Sequence, residues 1–431
     1  MLTRLDLRGR AGPALTAGLP RPGAGAGAPL DAVREILAEV RKRGDAAVRE
    51  YTERFDRVAL DDLRVPPGEI DAALDALPAR LRTALEAARE AIDAHHRAQI
   101  RPEADREHNG VQIRELRRPV DRAGCYVPGG RALYPSTVLM TAVPARVAGV
   151  PEVVLAVPPG PDGRVPRVTL AASALAQVDE VYRIGGAQAI AALAYGTESV
   201  RPVDVIVGPG NLYVALAKRE VAGEGLVGVP AGFAGPSEVV VIADATTPVE
   251  SAAVDLIVQA EHGPDGLAWL VTWSDEVADQ VTDAVRRLVA EAPRRGDIEA
   301  TLAAGGFAVV VDTPEQAVEV ANAIAPEHLE LLCADPEALL PLVRHASVVF
   351  CGPWAPASVG DYLAGPSHVL PTFGSARFAS GLRVDDFQKT IHAVTLDQAA
   401  LGRVGPHVAA IAEAEGLAAH AQAVRLRGVT A

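Results

Sequence analysis

The sequence lacks most features that mark secreted, membrane-bound or nucleic-acid-binding proteins. Its 431 residues include three cysteines, Cys125, Cys333 and Cys351, whose spacing excludes a disulfide framework and a C-x-x-C zinc or redox site. No run approaches the ~18 uninterrupted apolar residues of a membrane span, and the first residues lack the apolar segment of a signal peptide. The formal net charge of -14 repels phosphate backbones. We therefore expect a protein of the reducing cytoplasm, with neither a membrane nor a nucleic-acid partner.

The first hundred residues are predicted to be mainly helical. Residues 20–29, "PRPGAGAGAP", have the composition of a flexible linker. From residue 30 to about 99 the apolar positions recur with helical spacing. In "LDAVREILAEV" the apolar face consists of Leu30, Val33, Ile36, Leu37 and Val40. Residues 110–120, "GVQIRELRRPV", then indicate an extended strand.

From about residue 121 the pattern changes to β-rich runs that alternate with helical segments. Alternation of this kind predicts βα units and parallel sheets, at about 121–236 and again at 237–352. The fold class is therefore α/β, with two successive, incomplete Rossmann-like parallel-sheet domains and a small helical extension at the carboxyl end. We predict these divisions: an arm and linker at 1–29, a larger α/β domain at 30–120 plus 237–375, a second α/β domain at 121–236, and the extension at 376–431. The extension is too short for its own core, so we expect it to pack on the body or on another subunit.

Glycine-rich turns follow several predicted strands. Gly208 and Gly210 in "GPGNLYVALAK" would let backbone amides approach a phosphate, although no third glycine and no acidic ribose-binding residue follow at the expected spacing. A tight βα turn is the simpler interpretation of this one pattern. With "YVPGGRALYPS" and "IGGAQAIAAL", however, three such turns predict a crevice at the carboxyl edge of one sheet.

Four of the ten histidines lie beside a carboxylate, a Gly-Pro turn or both: His262, His328, His368 and His420. Each alone is more often structural than functional, but together they suggest a site assembled from distant segments. In "LIVQAEHGPDG", Gln259 and His262 share a helix face because they are three residues apart. Imidazole and carboxylate suit zinc. An amide is a weak ligand, and "QAEH" lacks the first histidine of H-E-x-x-H.

Glu327 and His328 in "APEHLEL" are candidates for a base and a proton relay, provided that both side chains face a cleft. The alternative is a strand whose alternation turns one of the two side chains away from the cleft.

Eight segments together resemble the histidinol dehydrogenase family, in consistent order from about residue 120 to 420. They are "YVPGGRALYPSTVLM", "GGAQAIAALAYGT", "VGPGNLYVALAK", "GPSEVVVIAD", "QAEHGPD", "PEHLEL", "GPWAPASVGDYLAGPSHVLPT" and "EGLAAH". The resemblance implies oxidation of L-histidinol through L-histidinal to L-histidine, the last steps of histidine biosynthesis, with two NAD+ and one zinc ion per site. It also implies a homodimer with active sites at the subunit interface. It makes 121–236 the NAD-contacting domain, and 30–120 plus 237–375 the domain that carries the metal and catalytic residues.

The resemblance assigns roles residue by residue. Zinc would be bound by Gln259, His262, Asp361 and, from the partner subunit, His420. His328 would be the base for the hydroxyl proton, and Glu327 would activate the water that hydrates the aldehyde. Substrate would be held by Ser237, His368 and Glu415, the last also near the interface, together with His328 and the four zinc ligands. NAD+ would contact Tyr126, Gln188 and Asn211.

One departure and three alternatives accompany this interpretation. The loop "VGVPAGFAGPSE" before Ser237 is less polar than the family pattern leads us to expect. A thiol-dependent aldehyde dehydrogenase, or another NAD-dependent alcohol dehydrogenase, is the nearest alternative, and the three cysteines are the only possible thiol nucleophiles. A zinc hydrolase with Glu327 as base, or a non-catalytic zinc-stabilised binding protein, would use no nucleotide.

Overall fold

The computed structural model describes residues 1–20, 29–129, 132–230, 235, 237–263 and 266–428. Most of the predicted 20–29 linker, and half of the loop at 227–236 before Ser237, lie outside these residues. The chain divides into two compact units, Met1–Gln99 with Asp121–Phe387 and Ile100–Val120 with Gln388–Ala431. Within the described ranges, no helix is long and apolar enough to cross a membrane.

The described residues form strands and helices that are numbered here in chain order. The strands are β1 Thr3–Asp6, β2 Ala104–His108, β3 Val111–Pro119, β4 Arg122–Tyr126, β5 Glu152–Val157, β6 Glu180–Arg183, β7 Val205–Val207, β8 Glu238–Ala243, β9 Leu267–Thr272, β10 Gly306–Val310, β11 His328–Leu332, β12 Val348–Cys351 and β13 Gln388–Thr395. The helices are α1 Pro13–Thr16, α2 Leu30–Arg43, α3 Asp45–Asp56, α4 Pro67–Asp75, α5 Ala79–Arg97, α6 Pro135–Val147, α7 Arg167–Leu175, α8 Gly186–Tyr195, α9 Leu212–Gly223, α10 Val249–Ala260, α11 Asp275–Glu291, α12 Arg295–Gly305, α13 Pro314–Ile324, α14 Pro336–Leu339, α15 Ala357–Tyr362, α16 Gln398–Ala414 and α17 Ala418–Arg425.

The first unit contains a six-stranded parallel sheet in the order β1-β10-β9-β8-β11-β12. Its central strands are buried on both faces, as the continuous apolar runs of the sequence predict. Along β8, Val239 and Val241 pack into one core, whereas Val240 and Ile242 pack into the core on the opposite face. This alternation follows from the two-residue period of a strand.

The same unit contains a four-stranded parallel sheet in the order β6-β5-β4-β7. The buried face of α2, with Val33, Ile36, Leu37 and Val40, shares a core with this sheet and with α8 and α9. The predicted apolar face of that helix is therefore confirmed. At the amino edge of the sheet, buried Arg122 of β4 forms ion pairs with Glu152 of β5 and Glu180 of β6, which ties three adjacent strands together.

The second unit is a three-stranded antiparallel sheet, β13-β3-β2, with α16 and α17. The predicted strand at 110–120 is confirmed as β3. Its partner β13 was not predicted, because the segment around 388–395 has mixed composition. The two helices share a small core of Ala409, Ala412 and Ala421.

The predicted α/β class with parallel sheets and a carboxyl-terminal helical extension is confirmed. The predicted domain boundaries at 29, 120, 236 and 375 stay a prediction. The predicted boundaries group α2 and α3 with residues 237–375. The buried side chains of these two helices lie in the core of the four-stranded sheet.

Candidate active site

Two adjacent cavities lie in the first unit, with volumes of about 430 Å³ for the first and 840 Å³ for the second. Pro128, Gly129, Tyr134 and Asn211 line both of them, so the two cavities meet at these residues. Their size is that of small-molecule and cofactor sites.

The first cavity lies at the amino edge of the six-stranded sheet. Ser237 directly precedes β8, Glu327 directly precedes β11, and His328 is the first residue of β11. Gln259 is the next-to-last residue of α10, which runs back from the end of β8 toward the start of β9. The cavity is lined by predicted site residues from distant parts of the sequence: Ser237, Gln259, His262, Glu327, His328, Asp361 and His368.

Glu327 and His328 both line the first cavity, although they are adjacent in sequence. The alternation that would turn one of them away begins only at His328, since Glu327 lies before the strand. Glu327 is 7% exposed, and its Oε2 accepts a hydrogen bond from the Glu238 backbone amide at 2.9 Å. The predicted condition for a base and relay pair, that both side chains face a cleft, is therefore met.

The imidazole of His328 is buried and oriented by its surroundings. Its Nδ1 lies 3.2 Å from the Glu238 carbonyl oxygen, which can only accept, so Nδ1 carries the hydrogen in the neutral ring. Nε2 is then the unprotonated nitrogen, and it lies 3.6 Å from Oδ1 of Asp361. Burial lowers the pKa of His328, but the nearby carboxylates of Glu327 and Asp361 outweigh it and raise the pKa well above its usual range. The site thus stabilises the imidazolium that forms when Nε2 accepts a proton.

His368 is fixed on the opposite side of the cavity by two partners. Its Nδ1 lies 2.9 Å from the Asp361 carbonyl oxygen, and its Nε2 lies 3.0 Å from Oγ1 of Thr137 in α6. By the same reasoning Nδ1–H donates to the carbonyl, and Nε2 accepts from the threonine hydroxyl. Burial lowers the pKa of His368, which favours this neutral form.

Gln259, His262 and Asp361, which the resemblance implies as zinc ligands, all line the first cavity. Gln259 is 1% exposed, and its Nε2 has no hydrogen-bond partner among the described residues. A buried amide end without a partner is costly, so this group fits a bound ligand. In the described part of the chain, no three His, Cys, Asp or Glu side chains converge as a metal site. The implied set takes only His262 and Asp361 of these types from this unit.

The second cavity lies at the carboxyl edge of the four-stranded sheet and contains the three predicted NAD contacts. Tyr126 ends β4, and its hydroxyl accepts a hydrogen bond from the Gly186 amide at 3.1 Å. Gln188 is 1% exposed, and neither its Oε1 nor its Nε2 has a hydrogen-bond partner among the described residues. Asn211 caps α9 by accepting from the Val214 amide at 3.1 Å.

The backbone geometry of the turn at Gly208 requires a glycine. Its φ of +107° is unfavourable for other residues, and a Cβ would lie 2.0 Å from the Tyr126 carbonyl oxygen. The Nζ of buried Lys218 donates a hydrogen bond to the Gly208 carbonyl oxygen at 2.6 Å and so stabilises the turn. The crevice predicted at the carboxyl edge of this sheet is therefore present.

Glu415 and His420 belong to the second unit. Glu415 directly follows α16, and His420 lies in α17. Both side chains are exposed in this chain.

Sequence reasoning missed several groups at the two cavities. Thr137 and Glu238, which orient His368 and His328, lie within quoted motifs, but only the three-dimensional contacts reveal their partners. Asp56 lines the second cavity from the end of α3, and no motif marked it. Its Oδ2 is buried with no hydrogen-bond partner in the described structure, and burial raises its pKa to about 6.

None of the described residues that line the two cavities is a cysteine. Burial raises the pKa of the Cys125 thiol to about 12, and it also raises the pKa of Cys333 and Cys351. A thiolate nucleophile requires the opposite shift, so the geometry gives the thiol-dependent alternative no support.

Comparisons with known proteins agree over nearly the whole chain. The sequence model of the family described as histidinol dehydrogenase matches residues 20–428. Histidinol dehydrogenase of Parasynechococcus marenigrum (strain WH8102) is 51% identical over 394 residues, covering 91% of this chain and 89% of the relative. That of Geobacillus kaustophilus (strain HTA426) is 48% identical over 397 residues, covering 92% of this chain and 93% of the relative. The crystal structure of histidinol dehydrogenase from Elizabethkingia anophelis matches with a TM-score of 0.92 at 34% identity, covering 99% of this chain and 98% of that one.

Proposed function

This chain belongs to the histidinol dehydrogenase family of NAD-dependent oxidoreductases, and we propose that it oxidises L-histidinol through L-histidinal to L-histidine with two NAD+ and one zinc ion per site. The observation that carries the proposal is the first cavity. Seven residues from distant segments, each assigned a substrate, catalytic or metal role by the family resemblance, converge there.

The orientation of His328 suits it to be the base for the hydroxyl proton. The Glu238 carbonyl holds Nδ1–H, so Nε2 faces the cavity as the proton acceptor. Nε2 takes the proton of the substrate hydroxyl as the carbinol carbon loses a hydride to NAD+, which yields the aldehyde and NADH. The carboxylates of Glu327 and Asp361 stabilise the resulting imidazolium.

Glu327 is placed to serve the second oxidation. Its carboxylate takes a proton from a water molecule as the oxygen of that water adds to the aldehyde carbon, while the His328 imidazolium returns its proton to the aldehyde oxygen, and the hydrated aldehyde results. His328 then accepts a hydroxyl proton from the hydrate while a second NAD+ accepts the hydride, and the carboxylic acid is formed. The backbone amide of Glu238 keeps the Glu327 carboxylate turned toward this position.

The residues present fit a zinc ion. Gln259, His262 and Asp361 line the same cavity, and they offer an amide oxygen, an imidazole nitrogen and a carboxylate oxygen that can bind zinc. We propose that these three residues hold the ion together with His420 from the partner subunit. The bound ion would anchor the imidazole and amino nitrogens of the substrate. Ser237, His368 and, across the interface, Glu415 would hold the rest of it.

The second cavity suits the nucleotide. It is about twice as large as the first, it meets the first at Tyr134 and Asn211, and its wall includes the unpartnered amide of Gln188. We propose that Tyr126, Gln188 and Asn211 contact NAD+ there, with the nicotinamide reaching the junction of the two cavities.

The second unit supports the proposed homodimer. Its core consists of three alanines, whereas larger apolar side chains are exposed in this chain. They are Ile113, Ile391, Val394, Leu396, Val408, Ile411, Leu417 and Leu426. Such a surface suits burial against a second subunit, which would also bring Glu415 and His420 to the partner's site. The free cysteines agree with the proposed location in the reducing cytoplasm.

A metal-removal experiment tests this function. We expect a strong chelator to abolish histidinol-dependent NADH formation and added zinc to restore it. A zinc hydrolase would form no NADH, and a different alcohol dehydrogenase would form NADH with other alcohols but not with histidinol. Activity that survives complete metal removal would rule out the zinc proposal.

Two neighbouring residues at the end of α10 give a matched pair of variants for the same test. His262→Asn should lower the zinc bound per chain, because it removes a ligand, whereas Glu261→Gln should leave it unchanged. Both side chains are exposed, so neither change should unfold the protein. Equal zinc content in the two variants would remove His262 from the ligand set.

A further inference from the structure

Two buried carboxyl groups, those of Asp255 and Glu330, lie behind the first cavity without lining it. Asp255 is 5% exposed and Glu330 is fully buried. Asp255 is in α10, four residues before Gln259, and Glu330 is in β11, two residues after His328. Helix and strand periods place each carboxyl on the same side of its element as the site residue that it accompanies.

The carboxyl groups of Asp255 and Glu330 lie close enough for each to change the pKa of the other. Two ionised carboxylates can only accept, so a hydrogen bond between them requires a proton on one of them. Oε2 of Glu330 has no hydrogen-bond partner among the described residues. Burial and the Asp255 carboxylate raise the pKa of Glu330 to about 9, because the opposing effects of the Ala357 amide and of His328 are weaker.

The other oxygen of Glu330 holds a third element. Oε1 accepts a hydrogen bond from the backbone amide of Ala357, the first residue of α15, at 3.0 Å. Pro356 before it provides no side-chain cap. The opposite end of α15 carries Asp361, whose Oδ1 lies 3.6 Å from Nε2 of His328. One carboxyl group thus connects β11 to α10 and to α15.

We propose that Asp255 and Glu330 are positioning residues that share one proton and hold α10, β11 and α15 together, and thereby hold Gln259, His328 and Asp361 in register. The reason is geometric. The three site residues lie on three separate elements, and this pair contacts all three of those elements behind the cavity. The roles of Gln259, His328 and Asp361 rest on the proposed function. The shared proton of Asp255 and Glu330 does not depend on it.

Two substitutions at Glu330 separate a shared proton from a required negative charge. Glu330→Gln keeps an acceptor for the Ala357 amide and supplies a donor to Asp255, so we expect kcat within about threefold of the unchanged protein. Glu330→Leu removes both bonds, and we expect kcat to fall by tenfold or more, in the range of outer-shell changes, with the far-ultraviolet circular dichroism unchanged. A Glu330→Gln variant as inactive as Glu330→Leu would overturn the shared proton, and a fully active Glu330→Leu variant would overturn the positioning role.

The pH dependence of thermal unfolding tests the pair without any assay of activity. A carboxyl whose pKa is raised by folding stabilises the protein below its unfolded pKa and loses that contribution as pH rises through its folded pKa. As pH rises from about 5 to about 9, the Tm of the unchanged protein should therefore fall more than the Tm of Glu330→Gln. The Tm of Asp255→Asn should likewise fall less than that of the unchanged protein. Exposed Glu337→Gln is the control and should follow the unchanged protein.

Parallel Tm profiles for the unchanged protein, Glu330→Gln and Asp255→Asn would overturn the shared proton, even if Glu330→Leu failed to fold. Because this readout needs no substrate, it stands if the chain proves not to oxidise histidinol. Conversely, parallel profiles in a protein that does oxidise histidinol would reject the carboxyl pair alone.

Discussion

The two parallel sheets of the first unit present opposite edges to the joined cavities. In the four-stranded sheet the residues that line the second cavity follow the strands: Tyr126 ends β4, and Asn211 comes after β7. In the six-stranded sheet the residues that line the first cavity precede the strands: Ser237 comes before β8, and Glu327 before β11. The usual position of ligand sites in open α/β sheets is the carboxyl edge, so only the smaller sheet follows it.

The difference has an electrostatic consequence. At a carboxyl edge the following helices begin, and their free amides favour anions; here α8 and α9 begin beside the second cavity, at Gly186 and Leu212. At an amino edge helices end, and their free carbonyls favour cations; here α10 ends beside the first cavity with Gln259. The edge of the smaller sheet therefore favours anionic groups such as phosphates, and the edge of the larger sheet favours cations.

The largest effect should come from a side chain of the larger sheet. We expect His328→Asn to lower kcat by roughly 10²- to 10⁴-fold, the usual contribution of a general base, with little change in KM for NAD+. The reason is that His328 lines only the first cavity. Steady-state kinetics with histidinol and NAD+ measures both constants. His345→Asn, outside both cavities, is the control. If His328→Asn raised KM for NAD+ by as large a factor as it lowered kcat, the two sheets would not have separate functions.

The next effect should come from the backbone of the smaller sheet. At Gly208 an added methyl group would clash with the Tyr126 carbonyl oxygen, and the φ angle is unfavourable for alanine. Gly208→Ala should therefore displace the turn that carries Asn211. We expect KM for NAD+ to rise about tenfold, kcat at saturating NAD+ to change less, and unfolding free energy to fall by roughly 1–3 kcal/mol. Gly223→Ala in the same segment is the control, because nothing lies within 4 Å of its added Cβ. Similar kinetics for the two variants would contradict a role for the turn.

Local patterns in the sequence predict the cavity of the smaller sheet better than the cavity of the larger sheet. Glycine after each apolar run predicts the carboxyl-edge crevice of the smaller sheet, because a strand, its turn and the next helix are contiguous. The site of the larger sheet depends on where β11 begins, and a shift of one residue would turn Glu327 or His328 away from the cavity. Sequence pattern does not resolve that register; the family resemblance supplied these two residues.

Contacts between distant segments were beyond prediction for the same reason. Asp255 and Glu330 are separated by 75 positions, and each sits in an apolar run where a buried carboxyl is only an irregularity of the pattern. Strand β13 pairs with β3 although the two lie at opposite ends of the chain, and its mixed composition gives no strand signal. Chemistry that arises from such pairings appears only once the chain has folded.

The smallest effect should come from Asp56, which lines the second cavity and whose buried Oδ2 has no hydrogen-bond partner in the described structure. A carboxylate in a dinucleotide site accepts hydrogen bonds from ribose hydroxyls, and burial raises the pKa of Asp56 to about 6. Protonation below that pH removes an acceptor, so KM for NAD+ should rise about threefold as pH falls from about 7 to 5, the effect of a hydrogen bond worth roughly 0.5–1 kcal/mol. In Asp56→Asn this pH dependence should be absent, whereas exposed Asp61→Asn should retain it. If KM for NAD+ in Asp56→Asn still rises on acidification, the smaller sheet binds its ligand through backbone and neutral groups alone, and the contrast with the charged cavity of the larger sheet becomes sharper.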